Sequence, residues 1–371
     1  MCIPRFIILS ALLGVTLAVS AQSPTTLKDA YRGSFYIGAA INAAQSTGAD
    51  ARGAAIAAAQ FSSITPENEL KWERIHPKPD TYYFDLADKY VEFGEKNHMF
   101  IVGHNLVWHS QVPDWVFEDE KGKPITRDAL LKRLRDHIFT VVGRYKGRIQ
   151  SWDVVNEALN EDGTLRQSKW LKIIGEDYIA KAFQWAHEAD PQAQLNYNDY
   201  NLENEPKRNG AIALVKKLQA QGIPIAVVGI QGHDALTWPS AELEDATIAD
   251  FAKLGVKVAI TELDIDVLPA VAMGSADVSL SVKADPKLNP YPNGLPGEVQ
   301  KALAKQYATL FAVFLKHKDV INRVTFWGVT DADSWRNNWP VVGRTDYPLL
   351  FDRAGQPKPA FDAVIKLATQ K

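Results

Sequence analysis

Eight short, β-prone apolar runs alternating with helical stretches constrain this chain more than any other feature. The runs occupy residues 34–41, 61–68, 99–108, 148–158, 193–201, 226–234, 257–265 and 323–331. Segments 48–60, 126–145, 176–190 and 297–318 between them read as helices, with apolar residues at helical spacing. Thr126 stands where an N-cap belongs, and Pro191 closes the third segment. Eight strand–helix repeats predict a parallel sheet closed on itself, an α/β fold of the (β/α)8 TIM barrel type. The alternative is an open doubly wound sheet. It usually has fewer strands, and no Gly-x-Gly-x-x-Gly loop follows the first run here. No low-complexity linker divides the chain, so residues 22–371 are expected to form a single catalytic domain.

The first 21 residues are read apart from the fold. Arg5 precedes an apolar run over 6–19, and small residues lead to Ala21. That is the pattern of a secretory signal peptide, and a secreted or periplasmic location is expected. The run of about 14 residues is short of the ~20 that span a bilayer, so no membrane anchor is expected. Cys2 is the only cysteine, which removes thiol nucleophiles and thiolate metal sites from the mature chain. The 41 Lys and Arg against 44 Asp and Glu are too balanced for a nucleic-acid or membrane-surface binder.

In a (β/α)8 barrel the chemistry lies at the C-terminal ends of the strands. Polar residues collect there. Run two ends in Glu67 and Asn68, with Lys71 beyond; run three holds His104 and Trp108; run four ends in Asn156 and Glu157. Run five ends in Tyr200 and run six in Gln231 and His233, Glu262 and Asp264 close run seven, and run eight holds Trp327, with Trp335 beyond. Closing the barrel sets Glu157 and Glu262 across its mouth. Two such carboxylates suit glycoside hydrolysis: one protonates the leaving oxygen, and the other attacks the anomeric carbon or activates water. Glu262 and Asp264 are two apart and project from one face. A His233–Asp264 pair is expected to hold Glu262 ionised, and Asn156 to donate to a sugar hydroxyl.

Each residue also has a plainer reading. A single strand-end glutamate is often a salt-bridged loop residue. His104 and His233 could be structural, Trp327 and Trp335 core aromatics, and Trp72 is expected in the core. His104, His109 and His233 lack the spacing of a metal-ligand motif, and neither metal nor cofactor is expected. The conjunction points to a polyol polymer. Indole faces stack on sugar rings while amides, carboxylates and imidazoles read hydroxyls.

The motifs TPENELKWERI, GHNLVWHSQVPDW, WDVVNEAL, YNDYN, QGHD, ITELDI and FWGVTDADSW occur in order. Together they resemble glycoside hydrolase family 10, the endo-1,4-β-xylanases, over residues 34–367. The resemblance implies Glu157 as acid/base and Glu262 as nucleophile of a retaining double displacement. It implies Asn156 on the 2-hydroxyl at the −1 subsite, and His233 with Asp264 as partners of the nucleophile. Glu67, Asn68 and Lys71 are implied as glycone-side contacts. His104, Trp108, Gln231, Trp327 and Trp335 are implied as the −1 lining, and Tyr200 as an aglycone-side aromatic. The implied partners are xylan and xylo-oligosaccharides, bound by a monomer. A β-1,4-glucanase on the same barrel, or a non-catalytic sugar binder, are the competing classes. Residues 267–300, rich in Pro, Gly and Ser, depart from the pattern and are expected to form an extended loop.

Overall fold

The computed structural model describes residues 26–271 and 281–369. The signal peptide expected at 1–21 lies outside the described residues, as does part of the long segment after the seventh strand. Eight parallel strands form the barrel: β1 Tyr36–Ile41, β2 Ser63–Pro66, β3 Phe100–Val107, β4 Ser151–Asn156, β5 Gln194–Asp199, β6 Val227–Ile230, β7 Lys257–Asp266 and β8 Ile321–Phe326. Neighbours in sequence pair in order, and β8 returns to pair with β1 to close the sheet. This is the expected (β/α)8 barrel. Every residue of β2, β4 and β6 is buried, because parallel strands of a barrel meet side chains inside and helices outside. The helix Arg127–Arg144 starts where the sequence places it: Thr126 Oγ1 accepts from the N–H of Ala129 at 3.3 Å.

The barrel interior carries a polar layer beneath the cleft. Arg323 of β8 is buried, with Nη2 3.6 Å from Asp153 Oδ1 of β4. Asn196 of β5 donates to Asp153 Oδ1 and Ser151 Oγ, both at 2.9 Å. The other oxygen of Asp153 meets His104 Nδ1 at 3.0 Å. A buried charge is stable only when paired and hydrogen-bonded; Asp153 has both here, while Arg323 has the ion pair and a hydrogen bond from Nη1 to Ser151 Oγ at 3.4 Å.

Two strand readings need correction. Run eight was expected over 323–331, but β8 spans Ile321–Phe326. The Trp327 N–H turns to Leu263 O at 3.0 Å, and Gly328 at φ +133° carries the chain out of the ladder. Trp327 therefore belongs to the cleft wall, while Val329 turns into the core. Glu262, expected at a strand end, lies inside β7, which continues to Asp266. The β6 ladder stops at the pair Ile230–Ile260 and resumes as a three-residue strand, His233–Ala235, against Asp264–Asp266. Gln231 and Gly232, the latter at φ +75°, fill the gap. Glu262 sits at that gap, with its N–H on Gln231 O at 2.7 Å.

Gly229 in β6 permits a close approach. A Cβ there would collide with Asn198 Oδ1 and stand 2.9 Å from Thr261 Cγ2. The space it leaves lets Asn198 lie across the barrel top toward β7. Trp72 is buried as expected, its indole N–H donating to Leu106 O at 2.6 Å. The described part of the long segment packs on the chain after β8, through Tyr347 Oη to Tyr291 O at 2.7 Å.

Candidate active site

Glu157 follows β4 directly, and its backbone turns left-handed at φ +56°. That conformation costs an L-residue roughly 1–2 kcal/mol. It is held by the Glu157 N–H on Asn198 O at 2.8 Å and by Arg166 Nε on Glu157 O at 3.0 Å. Trp108 Nε1 donates to Oε2 at 2.8 Å, while Gln231 Nε2 and Asn156 Nδ2 donate to Oε1 at 3.0 and 3.1 Å. His109 Nδ1 stands 3.9 Å from Oε2. Burial works to raise this carboxyl. The charge of His109 and the hydrogen bonds from Gln231 and Trp108 outweigh it, and hold Glu157 below the ordinary carboxylate value.

Glu262 receives Asn198 Nδ2 on Oε1 at 2.8 Å and meets His233 Nε2 at 3.2 Å through Oε2. His233 Nδ1 lies 3.1 Å from Asp264 Oδ1, an ion-pair contact bent away from hydrogen-bond geometry. Burial disfavours the imidazolium, but Asp264 and then Glu262 outweigh it and raise His233 to about 9. Asp264 is held well below its ordinary value: burial is overcome first by Arg336, then by His233. Arg336 reaches Asp264 Oδ1 through Nε at 2.9 Å and Nη2 at 2.8 Å. Trp335 Nε1 donates to Asp264 Oδ2 at 2.7 Å. The chain Glu262–His233–Asp264 expected from sequence is therefore assembled, with a cation at its centre.

The two carboxylates are joined through amides. Asn198 Nδ2 donates both to Glu262 Oε1 and to Asn156 Oδ1, each at 2.8 Å, and Asn156 in turn donates to Glu157. Both carboxylates line one cavity of about 330 Å³.

The same cavity gathers every other site residue expected from sequence except Asp264, which is fully buried behind His233. Lys71 Nζ donates to Asn68 Oδ1 at 3.1 Å and Gln111 Oε1 at 2.9 Å, and lies 5.0 Å from the Trp108 ring centre. Burial lowers Lys71, while Glu262 and Glu67 pull the other way. Glu67 is pushed up to about 8, by burial and then by the Glu69 carboxylate. It thus enters the cleft able to donate as well as accept near neutral pH. The rings of His104 and Trp327 meet edge to face with centroids 5.3 Å apart. Trp335 stacks on Trp339 at 4.7 Å and 16°. Tyr200 stands on the β5 side, its hydroxyl accepting from Arg166 Nη2 at 2.6 Å. The three histidines weighed as a metal set take separate partners: His104 meets Asp153, His109 faces Glu157, and His233 bridges Glu262 and Asp264.

The sequence profile of Glycosyl hydrolase family 10 matches residues 26–367. The chain belongs to that family. Among its similar relatives is the endo-1,4-β-xylanase A of Xylanibacter ruminicola, 44% identical over 357 residues, covering 96% of this chain and 97% of that one. The endo-1,4-β-xylanase of Geobacillus stearothermophilus is 40% identical over 348 residues, covering 93% of this chain and 99% of its own. A solved family 10 endoxylanase from a sugarcane soil metagenome superposes with a TM-score of 0.89 at 50% identity, covering 92% of this chain and 99% of that one.

Within this family 10 barrel, several residues of the site were given no role from sequence. Asn198 ties the two carboxylates together, Gln111 fixes Lys71, and Arg336 anchors Asp264. Arg166 clamps the backbone of Glu157. Asn198 and Gln111 stand inside quoted motifs, YNDYN and GHNLVWHSQVPDW, so their position was marked though their partners were not. Arg336 directly follows Trp335, and only the fold brings it to Asp264.

Proposed function

We propose that this protein is an endo-1,4-β-xylanase that cleaves internal xylosidic bonds of xylan with retention, through a covalent glycosyl-enzyme. The observation that carries the reading is the contrast between two glutamates in one cavity. Glu262 accepts from Asn198 and is faced by the His233 imidazolium, which leaves it placed as the nucleophile. Glu157 is faced by the neutral donors Trp108, Gln231 and Asn156 and lies beside His109. In the open cleft Glu157 is held ionised, whereas a general acid must carry a proton. The His109 contribution exists only while that imidazole is charged. Substrate also displaces water from Glu157, which strengthens burial and favours the protonated acid.

The first step then proceeds as Glu262 attacks the anomeric carbon while Glu157 gives its proton to the departing sugar oxygen. In the second step Glu157 takes a proton from water, which displaces Glu262 from the sugar. Retention requires carboxyl groups about 5–5.5 Å apart. A polymer of xylose lies outside cells, and we read residues 1–21 as the segment that exports the protein to it. Sequencing the exported protein should find Gln22 first.

Incubation with xylan should release internal fragments, with the initial product in the β configuration by NMR. Soluble cellulose should be cleaved far more slowly. Glu157→Ala should nearly abolish xylan cleavage, yet still form a glycosyl-enzyme from an activated aryl xylobioside, with azide restoring turnover as a β-glycosyl azide. Glu262→Ala should lose both substrates. An initial α product, or exchanged behaviour of the two variants, would overturn the assignment.

A further inference from the structure

We propose that Lys207 is a positioning residue for the leaving-group side of the cleft, fixing Tyr200 from behind so that the departing sugar meets a rigid aromatic face. The proposal deepens the xylanase reading and rests on it both for the identity of that sugar and for Tyr200 standing on the leaving-group side.

Lys207 lies in the first turn of the helix Glu205–Ala220 and is 0% exposed. A lysine in that position needs charged partners, and two carboxylates supply them. Its Nζ lies 3.0 Å from Asp199 Oδ1 and 3.4 Å from Glu161 Oε1. Its third contact is of a different kind: Nζ stands 3.3 Å from the centre of the Tyr200 ring. The ammonium thus occupies one face of an aromatic residue that lines the catalytic cavity.

Tyr200 is held at its remaining points by the same network. Its N–H donates to Asp199 Oδ1 at 3.0 Å, and its hydroxyl accepts from Arg166, which also clamps the Glu157 carbonyl. Asp199 Oδ2 accepts from Tyr197 Oη at 2.5 Å and from the Leu159 N–H at 3.4 Å. The segment carrying the proposed acid and the segment carrying the platform therefore share one charged core. A purely structural lysine needs only its carboxylates. The ring contact adds a constraint on the residue that faces the substrate. Stacking on a sugar is strongest when the ring does not have to be ordered at the moment of binding.

The test compares two substrates. Xylotetraose places sugars on the leaving side, whereas β-xylobiosyl fluoride places none. Lys207→Met keeps the length and removes the cation. It should lower kcat/KM on xylotetraose about tenfold, chiefly through KM, and on the fluoride by less than about threefold. Lys207→Arg, which keeps a cation behind the ring, should recover part of the loss. Because Lys207→Met leaves Asp199 unpaired, Lys207→Met/Asp199→Asn carries the same comparison if the single variant fails to fold. Parallel losses on both substrates, or unchanged xylotetraose kinetics, would overturn the role. A readout independent of activity is the fluorine resonance of Tyr200 in 3-fluorotyrosine-labelled protein, identified by its loss in Tyr200→Phe. It should move and broaden in Lys207→Met. Absence of xylan cleavage by the unaltered protein would overturn the functional reading, whereas an unmoved Tyr200 resonance would overturn the positioning role alone.

Discussion

Trp108 gives its indole N–H to Glu157 Oε2 at 2.8 Å, with both side chains buried. A hydrogen bond to the ionised form lowers a carboxyl group, and this one is among the causes that hold Glu157 down. Trp108→Phe keeps the ring and removes the donor. Glu157 should then rise, staying protonated to higher pH, and the basic limb of kcat/KM should move upward. The rate should fall roughly tenfold, the scale of one lost bond to a charged group. A pH–rate profile with an unmoved basic limb would mean that Glu157 is not the acid.

Asp264 is the first force that keeps His233 charged up to about 9, against its burial. In Asp264→Asn the imidazole should lose its proton at lower pH. Glu262 then loses its cationic neighbour. The acidic limb of kcat/KM should shift to higher pH, with a lower plateau. If profile and rate both match the unaltered protein, Asp264 serves only Arg336 and Trp335.

Gly229 leaves room for Asn198. In Gly229→Ala the added methyl must displace Asn198 Oδ1, with Thr261 Cγ2 close on another side. Asn198 should lose its bonds to Glu262 and Asn156, so kcat should fall more than KM changes. The melting temperature should drop as well, because overpacking costs about 1–3 kcal/mol. A crystal structure with Asn198 unmoved, or an unchanged kcat, would contradict this.

His76 and His137 form a buried pair, Nδ1 to Nδ1 at 3.2 Å. The pair lies between Tyr82, 3.8 Å from His76, and Trp72, 3.6 Å from His137. Burial pushes His76 down to about 4 and His137 well below its ordinary value. The unfolded chain binds protons at these rings near 6.5 while the folded protein does not. Their contribution to stability is therefore complete above about 6.5 and falls as pH drops toward 4. Urea unfolding at pH 7 and pH 4.5 should show a smaller difference in midpoint for His76→Gln/His137→Gln than for the unaltered protein. An equal difference would place the acid sensitivity in the carboxylates alone.

How far the sequence anticipates this depends on the range of each interaction. Eight runs with period-two or continuous apolar character mark eight strands, because each strand is chosen locally by what it buries. The pair Glu157 and Glu262 was readable for a related reason: a carboxylate two residues beyond Val155, or two beyond Ile260, breaks an apolar run. The end of β8 was not readable, because Trp327, Val329 and Thr330 are as β-prone as the strand itself. Only the Gly328 backbone and the pull of Leu263 O end the ladder. Asn198 and Arg336 escaped for a third reason. An amide or a guanidinium declares its partner only when the barrel closes and brings strands five and seven, or loop eight and strand seven, within reach of each other.

The bridge of Asn156 and Asn198 between the two glutamates has a consequence for what this scaffold can become. On the retaining reading, stereochemistry follows from how far apart the carboxylates stand. Here that interval is gauged by two amides rooted in adjacent buried strands, independently of any sugar. Such a gauge resists drift: a chance substitution elsewhere on the surface does not lengthen it. Converting the outcome to inversion would mean rebuilding the ruler itself, by shortening a glutamate to open room for water while both asparagines stay in place.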